Sequence, residues 1–208
     1  MKNNKKNLKK DKNILYTGFG DQGTTTLYDC KQGRISKSSI LVEALGSVDE
    51  LNAYLGIIKV YADIDKVVLK NDNLSAKTSK KILYSKIIEN IQQNLFVIQA
   101  ELGGSKMSIS PKELQKMENI INQIGEILPP ITSFTISGGS IISASLDFAR
   151  TLARKSERRI ISVSDEGSRI IGKGTISYMN RLSSLLFAMS RYSNYIFSIP
   201  ENHPRYNK

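Results

Sequence analysis

The sequence predicts an all-α bundle of five helices. Five long segments space their apolar residues at helical period, little of the chain reads as strand, and the connections differ in length. After a short apolar stretch at 13–16 comes Thr17 through Asp29, TGFGDQGTTTLYD, in which residues 17–26 hold four Thr and three Gly. That composition opposes a helix and reads as an extended loop with room for a short hairpin. Residues 41–62 form the first helix, with Val48, Leu51, Leu55 and Ile58 on one face. Residues 63–78 are mixed and polar and read as an unusually long loop. The second helix spans 80–102, faced by Ile82, Ile87, Ile91, Leu95 and Ile98, and Gly103-Gly104 ends it. Ser110-Pro111-Lys112-Glu113 places Ser at N-cap, Pro at N1 and Glu at N3, a capping-box opening for a third helix. That helix stops at about 128, before Pro129-Pro130. The loop ITSFTISGGS leads into a fourth helix over 140–163, and a fifth covers 175–197.

With 208 residues, 40% hydrophobic and 24% charged, the chain has the make-up of one globular domain with a real core. The expected division is a disordered basic tail (1–13), a helical-bundle domain (14–200) and a C-terminal tail (201–208). One cysteine, Cys30, excludes an internal disulfide framework and a Cys-based zinc site. One histidine, His203, argues against His-based metal sites and against Ser-His or Cys-His catalysis. No apolar run is long enough to span a membrane, and the basic start lacks the apolar stretch of a secretory signal. The expected location is therefore cytoplasmic. The net charge of +11 places +5 on the tail, with six Lys and one Asp, and leaves +6 for the rest. Much of that remainder sits in residues 150–159, RTLARKSERR. Such a charge raises the possibility of a polyanionic partner.

Two segments resemble phosphate loops. Gly18-Phe19-Gly20-Asp21-Gln22-Gly23 matches G-x-G-x-x-G, but three threonines follow it where a dinucleotide fold needs a helix. Gly167 through Gly174 nearly matches a P-loop, with the hydroxyl residue displaced to Thr175, and reads more simply as a helix–helix loop. The glycines at 18–23 still permit close approach to an anion, and the threonines add donors.

On the fourth helix, at about 100° per residue, Ile142, Leu146, Ala149, Ala153 and Ile160 share one narrow stripe. Asp147, Arg150, Arg154, Glu157 and Arg158 form a charged arc beside it. The plain reading is a solvated face with ion pairs such as Arg154–Glu157. Arginines at i, i+4 and i+8 repel one another, however, unless an anion or acidic partner lies among them, and Arg suits phosphate. No aromatic interleaving supports base stacking. Asp49 and Asn52 border the apolar stripe of the first helix, where Arg150 is a candidate cation for Asp49 and surface exposure is the plain alternative. Asn180 lies near the start of the fifth helix, where Asn is disfavoured unless capping, exposed or bound.

Four blocks carry a family resemblance. They are Tyr16-Thr17 with Gly20-Asp21-Gln22-Gly23-Thr24-Thr25; VEALGSVDELN at 42–52; Phe134 through Gly138-Gly139 into ARTLARKSERR at 149–159; and YMNRLSSLLF at 178–187. Together, in this order, they resemble the PduO-type ATP:cob(I)alamin adenosyltransferases. The resemblance implies a five-helix bundle with an extended N-terminal ATP-binding loop, assembled as a homotrimer with active sites between subunits. It implies transfer of the 5′-deoxyadenosyl group of ATP to the cobalt of cob(I)alamin, with release of triphosphate. ATP is then the co-substrate, Mg²⁺ accompanies it, and cobalamin is the substrate. A cobalamin reductase and an adenosylcobalamin-dependent enzyme are the implied partners, with no membrane and no specific nucleic acid.

By the same resemblance, Thr17, Gly20, Asp21, Gly23, Thr25 and Thr26 belong to the ATP loop, followed by Lys37. Arg154, Lys155, Glu157, Arg158 and Asn180 hold the nucleotide. Asp49 and Arg150 resemble a pair that bridges subunits. Phe134 resembles the aromatic residue that covers the lower corrin face and displaces the axial ligand. Such chemistry needs no protein base, because cobalt(I) is itself the nucleophile. Four positions depart from the pattern: Gly18 stands for a basic residue, Phe19 for a small hydroxyl residue, Ser137 for a proline and Lys155 for an arginine. Gly18 and Phe19 motivate an alternative, a trimer that binds ATP or adenosylcobalamin with weakened catalysis. The net charge motivates another, a basic nucleic-acid-binding helical protein.

Overall fold

Three serines open three of the five helices. Ser39, Ser110 and Ser140 hold extended backbone, with ψ of 150°, 151° and 159°, and each hydroxyl accepts from the third backbone N–H ahead. The computed structural model of the chain describes residues 15–29, 33–70 and 81–206. The tail 1–13, Cys30, residues 71–78 of the long connection and residues 207–208 lie outside the described residues.

In chain order the elements are β1 (Thr24–Thr26), β2 (Arg34–Ser36), α1 (Ile40–Ile64), β3 (Val68–Leu69), β4 (Ile82–Leu83), α2 (Tyr84–Leu102), α3 (Pro111–Ile127), α4 (Ile141–Asp165) and α5 (Lys173–Ile196). The all-α bundle with a small N-terminal hairpin is the predicted class. β1 and β2 pair antiparallel, Thr25 opposite Ile35.

Two details differ from the sequence reading. The 63–78 connection is not loop throughout: Val68 pairs with Leu83 and Leu69 with Ile82, and Val67 and Leu69 are buried. That pairing takes Ile82 and Leu83 out of the second helix, which starts at Tyr84 rather than near residue 80. Two-residue strands carry no periodicity that a sequence could reveal. The capping box is also half-made. Ser110 accepts from the Glu113 N–H, but the Glu113 carboxylate turns to Asn90 (3.1 Å), Asn94 (3.2 Å) and Lys116. These bonds, Lys116 foremost, hold Glu113 below the usual carboxylate range.

Cross-helix bonds fix the directions. Ser156 Oγ donates to Ser47 O (2.8 Å), and Arg159 pairs with Glu43, so α4 runs antiparallel to α1. Gln92 Nε2 donates to Asn52 O (3.1 Å), and Gln99 reaches Asp49, so α2 also opposes α1. Ser143 meets Ser190 while Ser140 meets Asn194, so α5 opposes α4. Val48, Leu51, Leu55 and Ile58 are fully buried in one core that also holds Leu95, Ile98, Leu146 and Leu182. Each such side chain contributes about 1.5–3 kcal/mol by leaving water. The bundle thus has two ends. The β1–β2 hairpin sits where α1, α3 and α5 begin. The 128–140 connection and residues 197–206 sit at the other.

Candidate active site

The centre of α4 sets the site. Ala149, Ala153 and Ser156 are fully buried, and their small side chains let α4 lie close to its neighbours. This rotation puts the predicted apolar stripe inward and the charged arc beside it. Asp147 is nearly buried, Arg150 and Glu157 are half-buried, and Arg154 and Arg158 are exposed. Arg150 Nε donates to Asp147 Oδ1 (3.4 Å), and its guanidinium lies 6.0 Å from the Phe187 ring centroid. The predicted Arg154–Glu157 ion pair does not form. Among the described residues, the side chains of Arg154, Glu157, Arg158 and Asn180 have no hydrogen-bond or ion-pair partner. The α4–α5 register that pairs Ser143 with Ser190 sets Arg154 level with Asn180. Asn180 is exposed and lies two turns inside α5 rather than at its first turn.

Phe134 joins this cluster. A cavity of about 410 Å³ is lined by Phe134, Arg150, Arg154, Ser183, Ser184 and Phe187, among others. Phe134 itself is 79% exposed, an aromatic ring presented at the cavity rather than packed in the core. Ser183, Ser184 and Phe187 were within a recognised sequence block but had no assigned role; only the fold reveals that they share a wall with Phe134. The connection carrying Phe134 turns into α4 at Gly138-Gly139. Asn194 seals the corner, donating to Gly138 O (2.9 Å) and accepting from Ser140 N (3.1 Å). Gly139, at φ +102°, lies so close to the Asn194 amide that any Cβ there would collide with it.

The hairpin loop is a second, separate cluster. Tight turns join Gly18 O to Asp21 N and Gly20 O to Gly23 N, both at 3.1 Å, with Gly18 at φ +72°. Arg34 clasps the loop. Its Nε donates to Thr24 Oγ1 (2.8 Å), and its Nη2 donates to Thr24 O (2.8 Å) and Phe19 O. Lys37 N donates to Gly23 O (2.9 Å), and the Lys37 ammonium lies against Gly20. Thr17, Asp21 and Gly23 are exposed in the loop before β1 and Thr26 is exposed at the far end of β1, with Gly20 and Thr25 half-buried. The turn that joins β1 to β2 is anchored by Asp29 and Arg169, paired at 2.8 Å with both side chains largely buried.

Within one chain, among the described residues, no hydrogen bond or ion pair joins Arg154 or Arg158 to this hairpin loop. The hairpin side, through Ile35, Ser38 and Ser39, shares a cavity with Glu166 and Ser168 at the C-terminal end of α4. Arg154 lies twelve residues earlier on α4, about 18 Å along the axis. Asp49 and Arg150 also stay apart. Asp49 is exposed and accepts from Gln99 (3.4 Å), while Arg150 pairs with Asp147. Lys155 leans toward α1, where Glu50 holds it at 2.7 Å.

Both phosphate-loop lookalikes resolve physically. A strand, β1, follows Gly23 where a dinucleotide fold needs a helix. At the start of α5, the Glu101 carboxylate accepts from Gly172 N (2.8 Å) and Thr175 Oγ1 (2.5 Å), so a protein anion already fills the position a P-loop gives to phosphate. No helix of the described residues is long and apolar enough to cross a membrane.

A family model described as cobalamin adenosyltransferase matches residues 15–193. The chain is 35% identical over 184 residues to the corrinoid adenosyltransferase PduO of Citrobacter freundii, covering 85% of this chain and 49% of that one. It is 34% identical over 184 residues to PduO of Salmonella typhimurium, covering 85% and 48%. The chain thus spans about half the length of these two relatives. A second corrinoid adenosyltransferase of Citrobacter freundii is 34% identical over 190 residues, and 93% of it is covered. Among solved structures, a Phe-to-Ala variant of the PduO-type ATP:corrinoid adenosyltransferase from Lactobacillus reuteri, complexed with cobalamin and ATP, superposes with a TM-score of 0.77 at 26% identity, covering 93% of this chain and 100% of that one. An Arg-to-Lys variant of the Lactobacillus reuteri enzyme, complexed with ATP, superposes at 0.75 and 28% identity, covering 92% and 100%.

Proposed function

The chain belongs to the cobalamin adenosyltransferase family, and on that premise we propose that it transfers the 5′-deoxyadenosyl group of ATP to the cobalt of cob(I)alamin. The observation that carries this reading is the convergence of Phe134, Arg150 and Arg154 on one cavity, with Arg154 and Arg158 left without protein anions. The cobalt(I) electron pair forms the bond to C5′, the C5′–O bond breaks, and triphosphate leaves with that bond's electrons. No protein base is required. The protein aligns the two substrates and stabilises the departing charge. Arg154 and Arg158 meet the phosphates, Glu157 and Asn180 fix the nucleoside, and Phe134 walls the corrin's lower face, excluding water and disfavouring axial ligation. Thr17, Asp21, Thr25, Thr26 and the backbone N–H groups of Gly20 and Gly23 cradle the triphosphate from the hairpin, with Lys37 behind them. Lys155, which pairs with Glu50 at the surface, adds a further cation beside Arg154 for the nucleotide.

The separation of hairpin and arginines within a chain supports a homotrimer in which one subunit's hairpin covers its neighbour's arginines. Tyr54, Ile57, Tyr61 and Ile64 supply the surface: they form a stripe of one face of α1, with Ile57 50% and Ile64 68% exposed, and Phe148 lies beside Tyr54. In that assembly Asp49 of one copy is free to meet Arg150 of the next. Mg²⁺ takes oxygen ligands and keeps several waters. Among the described residues no cluster of three or more acidic, His or Cys side chains offers a cage. The exposed oxygens of Asp21 and the loop threonines fit a one- or two-ligand contact to an ion carried on the triphosphate. When bound, that ion would neutralise phosphate charge. Cytoplasmic location, a reductase that supplies cob(I)alamin and an enzyme that accepts the product go with this reading.

Anaerobic incubation with ATP and reduced cobalamin tests it. The expected result is loss of cobalt(I) absorbance together with one triphosphate per corrinoid. ATP binding without turnover above the uncatalysed rate would contradict it, and would favour the weakened binding trimer that Gly18 and Phe19 suggest.

A further inference from the structure

The segment after α5 folds back over the connection that carries Phe134. Asn202 O accepts from Ile136 N at 2.7 Å. His203 Nδ1 lies 2.9 Å from Phe134 O and 2.9 Å from Ser133 Oγ. Arg191 ties the segment to the same connection. Its Nε and Nη2 donate to the Glu201 carboxylate at 2.5 and 3.3 Å, and Nη2 also donates to Pro129 O at 3.1 Å. Beyond these bonds little holds Phe134, since residues 131–134 are all exposed.

We propose that His203 is a positioning residue for Phe134, its imidazole clasping the Phe134 backbone so that the ring stands at the substrate cavity. The proposal rests on the role given to Phe134 above. A carbonyl oxygen can only accept, so Nδ1 must carry the proton, and Ser133 Oγ shares that donor. The Nδ1–H neutral tautomer and the imidazolium both supply it. The Nε2–H neutral tautomer would set a lone pair against the carbonyl. This use explains a histidine with no catalytic or metal-binding role: it is the side chain that offers a directed N–H two bonds beyond Cβ while its ring spans the gap to the connection.

The geometry makes the test specific. An asparagine amide nitrogen sits at the same number of bonds from Cα as Nδ1, whereas glutamine places its amide one bond further. His203→Ala and His203→Gln are expected to lower kcat for cobalamin adenosylation about tenfold, through misplacement of the ring, with the KM for ATP unchanged. His203→Asn should retain most of the wild-type rate. Hydrogen exchange at the Ile136 amide should quicken about tenfold in the Ala and Gln variants and not in Asn. Unchanged kcat and exchange in His203→Gln, a parallel rise in the KM for ATP, or an Asn variant as impaired as Ala would each overturn the proposal. The exchange measurement needs no turnover. A wild-type protein without adenosylation but with this exchange pattern would overturn the catalytic reading and leave the clasp standing.

Discussion

The Phe134 cavity and the glycine–threonine hairpin bind their surroundings in opposite ways. The cavity is assembled within one chain: α4 supplies Arg150 and Arg154, α5 supplies Ser183 and Phe187, and the connection bearing Phe134 is pinned through Gly138, Ile136 and Pro129. The hairpin is clasped by Arg34 and, at its turn, by the Asp29–Arg169 pair, but the loop before β1 is mostly exposed and, among the described residues, bonds to no cation of the arc. On the proposed function, the first region holds the corrin and the arginines of one chain, and the second is the clamp that a neighbouring copy brings to the triphosphate.

The arginine arc offers the strongest way to break this contrast. Arg154→Ala should lower kcat/KM about 100- to 1,000-fold, the range seen when a directed transition-state donor is lost. Steady-state kinetics with both substrates checks it, and a loss below fivefold would remove Arg154 from the site. Phe134→Ala should slow adenosylation about tenfold while ATP binding by calorimetry stays near wild type, because the ring belongs to the corrin half. Arg34→Ala should act only on the other half. Freed from Thr24 and Phe19, the loop should bind ATP about fivefold more weakly, with the corrinoid KM unchanged. Glu113 is the control outside both regions. Its folded-state pKa is depressed by Lys116, Asn90 and Asn94, so its contribution is complete above the unfolded carboxylate range and fades as pH falls through the depressed value. Glu113→Gln should therefore lower Tm slightly at neutral pH, by less as the medium turns acid, and leave kinetics at neutral pH unchanged.

Much of this was legible in the sequence, for local reasons. Ser110, Pro111 and Glu113 announced α3 because capping is a contact within four residues. The α4 arc was legible because helical period alone separates Arg150 and Arg154 from Ala149 and Ala153. What stayed hidden depends on distant partners. Glu101 of α2 is over seventy residues from the Gly172 N–H and Thr175 hydroxyl it accepts from at the start of α5, and His203 is 69 residues from Phe134. Lys155 belongs to the charged run by position, yet Glu50, 105 residues away, turns it toward α1. Only packing could tell these cases apart.

The central claim, that each active site joins one copy's hairpin to another's arginines, has a direct measurement. Two inactive chains are prepared, one carrying Arg154→Ala and one carrying Asp21→Ala with Thr25→Ala, then unfolded, mixed in equal amounts and refolded together. If sites are shared between copies, mixing restores activity to about a quarter of wild type, the statistical share of interfaces with both intact halves. A chain carrying all three substitutions, mixed with either parent, should restore none. Activity that remains at the level of the separate inactive chains after mixing, with mixed oligomers demonstrated by mass, would contradict the account.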